Sequence, residues 1–158
     1  MDKTRMWTIV GCCIIALAAQ AHGQNRKPGL WEVATQMSMS GGPANMPQMP
    51  PRTSQVCVTQ AMIDKYGGPY SNPQNAQCQM SNLSLTATGM TATLTCTGRT
   101  PMTGTVQTTF VDANTTRTTI QMTMAMGPNS MNMTMQSTAT YKGADCGSVQ
   151  PLAMPPGK

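Results

Sequence analysis

The stretch MTATLTCT at residues 90–97 decides the fold. Met90, Ala92, Leu94 and Cys96 take every second position, and Thr91, Thr93, Thr95 and Thr97 fill the places between. A pleated strand sends successive side chains to opposite faces, so this pattern makes one apolar and one hydroxylated face, whereas a helix would scatter both sets around its axis. The same alternation continues downstream. Met102, Gly104, Val106, Thr108 and Phe110 oppose Thr103, Thr105, Gln107, Thr109 and Val111; Ile120, Met122, Met124 and Met126 oppose Thr119, Gln121, Thr123 and Ala125. A last run sets Met131, Met133, Met135, Ser137, Ala139 and Tyr141 against Asn132, Thr134, Gln136, Thr138 and Thr140.

Turn-forming residues separate these runs at Thr88-Gly89, 98–101, 112–114 and 127–129, where hairpins need them. Upstream, residues 29–39 read as a further strand, with Trp31, Val33, Met37 and Met39 on one side and Glu32, Gln36 and Ser38 on the other. A short strand is expected at 55–58, a loop at 40–52, and a single helical turn at 59–66 that Thr59 caps and Gly67-Gly68-Pro69 ends. The fold class is therefore all-β: an antiparallel meander of about six to seven strands, curved or barrel-like, with at most one short helix. Such a sheet must cover its apolar face by closing or by folding over on itself.

Composition narrows the function. At 158 residues one domain is expected. Charged residues are 9% against roughly 25% in average proteins, and the Lys and Arg behind the net charge of +5 are scattered, so no nucleic-acid footprint forms. Arg26, Lys27, Arg52, Lys65, Arg99, Arg117, Lys142 and Lys158 read as solubility charges, or at most as a diffuse attraction for anionic envelope components.

The N-terminus is an address. Lys3 and Arg5 precede an apolar run from Met6 to Ala19, closed by Ala19-Gln20-Ala21, the layout of a secretory signal peptide at 1–21. The run falls short of the ~20 residues a spanning helix needs, so no transmembrane segment is expected in the mature chain. Cleavage is expected after Ala21, with Ala21-His22-Gly23 offering a second site; a lipoprotein cut before Cys12 would leave Ile14 to Ala19 unused. A single disulfide-linked β domain is expected over 22–148, followed by a flexible tail at 149–158.

Export leaves Cys57, Cys78, Cys96 and Cys146, an even count that implies two disulfides with three possible connectivities. Cys146 follows the last strand and Cys96 lies on an apolar face, so the expected pairs are Cys96–Cys146 and Cys57–Cys78. No zinc spacing is present, and no His stands ready to activate a thiol.

The segments KPGLWEV (27–33), QVCVT (55–59), CTG (96–98), MTGT (102–105) and YKGADC (141–146), together with Cys78 and the alternating Met strands, resemble an exported bacterial family known as domain of unknown function 3617. The resemblance covers nearly all of the mature chain, in order, with all four cysteines. It implies a Gram-negative periplasmic or envelope location and a small single domain, and it implies no activity, cofactor or catalytic residue. The chain departs from the family in a charge-poor segment between Cys57 and Cys78 and in the tail after Cys146.

The 17 methionines are the remaining signal. Packing on an inner sheet face accounts for Met122, Met124, Met126, Met131, Met133 and Met135, because Met adapts to irregular gaps. The same face, with few aromatics to fill it, is a candidate surface for an apolar small molecule or envelope component. A second candidate is soft-metal, Cu(I), binding through Met37, Met39, Met46 and Met49, where thioethers on a loop could converge. No cofactor is implied. Catalysis is not expected, since Glu32, Asp64, Asp112 and Asp145 form no pair close in sequence and the Ser and Thr lack a His base.

Overall fold

A computed structural model describes residues 26–41, 49–69, 77–98, 100–126 and 129–152, without the side chains of Gln77, Met126 and Asn129. The expected signal peptide, Met46, the Met126 side chain and residues 153–158 lie outside that description.

The elements run β1 (Gly29–Ser40), β2 (Arg52–Val58), α1 (Gln60–Tyr66), β3 (Gln77–Leu85), β4 (Gly89–Thr97), β5 (Met102–Asp112), β6 (Thr115–Met126) and β7 (Asn129–Gly143). All seven strands form one antiparallel sheet in the order β2-β1-β7-β6-β5-β4-β3. It is an open sheet with β2 and β3 at its edges, not a closed barrel. From β3 to β7 the path is a meander of hairpins; β1 then lies against β7, and β2 folds back outside β1.

β3 carries a bulge. The register with β4 shifts between Ser81 and Ser84, Asn82 adopts φ 51°, and the slip lets Met80 and Leu85, an odd spacing apart, both join the apolar cluster. The hairpin between β5 and β6 turns on Asp112, whose Oδ1 accepts from the Asn114 N–H at 2.7 Å.

Two apolar clusters occupy the same face. In the first, Trp31 is 0% exposed and packs with Val56, Val58, Ala139 and, from α1, Met62 and Ile63. Its Nε1 donates to the Lys27 carbonyl at 3.0 Å, and Tyr141 meets its ring edge-on at 5.6 Å. The helix is built to sit there: Thr59 accepts from the Met62 N–H, Gly67 ends it at φ 76°, and Met62, Ile63 and Tyr66 form its buried side. The second cluster holds Met90, Ala92, Leu94, Cys96, Val106 and Met122, with partly buried neighbours that all come from the sheet.

Two glycines are required by close approach. Gly29 has φ 136° at the bulge between β1 and β7, and a Cβ there would lie 2.2 Å from the Gly143 carbonyl oxygen. At Gly104 a Cβ would lie 2.0 Å from the Gln121 carbonyl oxygen, so β5 meets β6 where no side chain fits.

The cysteines pair as Cys57–Cys146 and Cys78–Cys96, which corrects the expected Cys57–Cys78 and Cys96–Cys146. Sheet order is the reason. Cys78 stands directly opposite Cys96 in the β3–β4 register. The end of β7 arrives beside β1, one strand from Cys57 on β2, because β1 inserts between them. Residues 149–152 are held too: Pro151 bridges to Cys57 and Leu152 packs on the Trp31 cluster, so the start of the expected tail lies against the sheet.

Trp31→Ala should cost about 3–5 kcal/mol in urea unfolding, the range for a large buried aromatic. Gly104→Ala should also destabilise although it adds an apolar group to an apolar face. On the chain-entropy scale the 89-residue link contributes about 4.5 kcal/mol and the 18-residue link about 3 kcal/mol. A Cys57→Ala/Cys146→Ala protein should therefore melt below a Cys78→Ala/Cys96→Ala protein in the same buffer.

Candidate functional site

Cross-strand register turns the scattered methionines into a lattice. Met39 faces Met133, Met133 faces Met122, and Met122 faces Gly104, which faces Leu94 and then Met80. On one side of that row Met37, Met135, Ile120, Val106 and Ala92 line up; on the other Met131, Met124 and Met102 lead to the Cys96–Cys78 bridge. Directly opposed Cβ atoms lie roughly 4.5–5.5 Å apart, so these side chains form one continuous apolar face rich in thioethers.

Burial across it is graded. Met122 is 6% and Met131 9% exposed, while Met37, Met39, Met124, Met133 and Met135 are half-buried. The α1 helix covers the Trp31 end, and among the described residues the Met end is packed by residues of the sheet itself.

A belt of hydroxyls crosses the face from β1 to β5. Thr35 and Ser137 hydrogen-bond at 3.0 Å and Thr108 and Thr118 at 2.9 Å, each pair in register across two strands. Thr108 is buried, as is Thr116 one step further along β6. Because each hydroxyl in these pairs has the other as partner, the belt crosses the apolar surface without leaving those oxygens unsatisfied.

At the far side of the belt stands Arg26, 6% exposed, with its guanidinium stacked 3.3 Å from the centroid of Phe110. Its Nε and Nη2 are buried and have no hydrogen-bond partner. Burial lowers its pKa to about 10, so it stays a cation at neutral pH.

The opposite face is polar. Thr93, Thr105, Gln121 and Thr134 form one row and Thr95, Thr103, Thr123 and Asn132 the next, and all of these but Thr95 line an open hollow of about 600 Å³. It offers neutral hydrogen-bonding groups; Thr123 already donates to Asn132 at 3.0 Å.

Of the six methionines expected on the apolar face, five with described side chains share it. Of the four expected to converge on a metal, Met37 and Met39 lie in β1 and join this same surface, and Met49 is 42% exposed just before β2. Among the described residues no group of three or more His, Cys, Asp or Glu could hold a metal ion. The carboxylates are dispersed: Glu32 pairs with Lys142 at 2.8 Å, Asp64 accepts from Gln60, and Asp112 and Asp145 accept from backbone N–H groups. Sequence reasoning overlooked Arg26, Phe110 and the hydroxyl belt. A lone Arg before a Pro-Gly turn has no periodic signature, and Thr on the inner face reads as part of the alternation.

The family described as "Protein of unknown function (DUF3617)" matches residues 26–146, and the chain belongs to it. No curated protein and no solved structure matches. The chain's two disulfides are compatible with an extracellular or oxidising compartment, and no described helix is long and apolar enough to cross a membrane.

Truncating the lattice should read out its gradient. Met122→Ala should cost about 2–3 kcal/mol, whereas Met37→Ala and Met39→Ala should each cost less than about 1 kcal/mol in chemical denaturation. Equal large losses at all three would describe a sealed core and not a surface open toward β1.

Proposed function

As a member of this family, the chain is, we propose, an exported periplasmic protein that binds an apolar molecule of the cell envelope on its methionine face and carries out no catalysis. One observation carries the reading. Seven strands present a continuous apolar face; among the described residues one short helix covers the Trp31 end, and the other end carries half-buried, flexible, polarizable thioethers that adapt to different shapes. Export is supported by the N-terminal charge-and-apolar layout and by the two disulfides. The absence of paired carboxylates among the described residues supports binding over acid-base chemistry.

The test is direct. Nile red titrated into the purified protein should show a saturable, blue-shifted emission, and Met133→Glu with Met135→Glu should abolish it while thermal unfolding stays cooperative. Native mass spectrometry of protein taken from the periplasm should show a co-purifying apolar species. A protein that never binds the dye and never carries such a species is not a binding module of this kind.

A second reading has its own observation. The register sets Met37 beside Met135 and Met39 beside Met133, a set of neighbouring thioethers suited to a soft ion such as Cu(I). Titration with Ag(I) as a redox-inert stand-in should then shift the methyl resonances of these four residues together; dissociation constants weaker than about micromolar would dismiss it.

A further inference from the structure

We infer that Arg26 is the headgroup anchor of the ligand: the apolar face takes an amphiphile whose anionic end, a carboxylate or a phosphate monoester, binds the buried guanidinium. This rests on the apolar-face reading above and adds the chemical class of the molecule.

Arg26 is a buried cation with no counter-ion among the described residues. Uncompensated buried charge is strongly unfavourable and is normally paired or hydrogen-bonded. Each of the four described carboxylates is engaged elsewhere, Glu32 with Lys142, Asp64 with Gln60, Asp112 with the Asn114 N–H and Asp145 with the Gly147 N–H. The Phe110 ring stacks on one face of the guanidinium, and in its plane Nε and Nη2 have no partner. Those two unpartnered donors, Nε and Nη2, form one edge of the guanidinium fork, the edge that takes two oxygens of a carboxylate or phosphate side by side.

Position completes the argument. Arg26 sits over Phe110, which pairs with Thr116, whereas the thioether rows begin at Ile120–Met135 and Met122–Met133. Thr116 to Met122 along β6 spans ~20 Å at the usual strand rise, a length suited to a long acyl chain. Between the two ends the chain crosses the Thr108–Thr118 hydroxyls, which are already bonded to each other and make no demand on it. Gly68 lies beside the Arg26 stem and Thr116, where an added Cβ would sit 3.8 Å from Cδ and 3.6 Å from the Thr116 methyl.

Hexadecanoate, hexadecyl phosphate and neutral hexadecanol, titrated calorimetrically into the purified, delipidated protein below their aggregation limits, separate the possibilities. At least one anion should bind about ten- to a hundredfold tighter than the alcohol, and which one does identifies the headgroup. Arg26→Met should bring that anion down to the alcohol's affinity and leave the alcohol unchanged, while Arg26→Lys should recover part of the preference. If the alcohol binds as well as both anions, the role of Arg26 is overturned and the apolar-face reading stands. If none of the three binds, the apolar-face reading falls and this inference with it. Should Arg26→Met fail to fold, the anion-to-alcohol ratio on the unaltered protein still decides.

Discussion

A single pleated sheet that carries most of its apolar side chains on one face has to find cover for that face, and the described residues offer little. Among them the one helix has seven residues and packs at the Trp31 end. The rest of the architecture follows from that shortage. The core divides into a cluster sealed by α1 and a second cluster assembled from strand side chains, and the surface between is neither fully dry nor fully exposed. Burial of an apolar side chain contributes in proportion to the area removed from water, so the incompletely covered end is where added apolar surface from a ligand would bring the largest gain.

The residue types on that end suit the task. Branched aliphatic side chains pack best against a fixed partner, whereas Met keeps three rotatable bonds and a polarizable sulfur and conforms to what it meets. Cross-strand register concentrates this property on β1, β7 and β6, next to the close contact that Gly104 permits between β5 and β6. The hydroxyl pairs Thr35–Ser137 and Thr108–Thr118 mark the border of the adaptable region, and Arg26 stands just beyond it. A thioether surface, a satisfied polar belt and a lone buried cation in series make a face with an apolar end and a charged end.

The two disulfides work at opposite edges. Cys78–Cys96 ties edge strand β3 to β4, and Cys57–Cys146 ties edge strand β2 to the segment that follows β7. Open sheet edges present unpaired N–H and C=O groups and are prone to fraying and to pairing with other chains. Links at both margins restrain the two outermost strands of the sheet, which matters where helix cover is scarce.

Alternation along MTATLTCT and its neighbours was enough to determine the all-β class, the hairpin order from β4 to β7, the single helical turn after Cys57 and the membership of the apolar face. Each of these depends on side-chain period and turn chemistry, which are local. The structure alone decided what depends on strands distant in sequence. Insertion of β1 between β7 and β2 redirected Cys146 to Cys57, and the bulge at Asn82 shifted the register of β3 against β4. Arg26 had the look of one more solubility charge until the fold stacked it on Phe110, 84 positions away in the chain, and closed it off from every described carboxylate. Periodicity tells which face a side chain takes; which strand lies alongside is settled by the burial of Trp31 under α1 and by the register that follows from it.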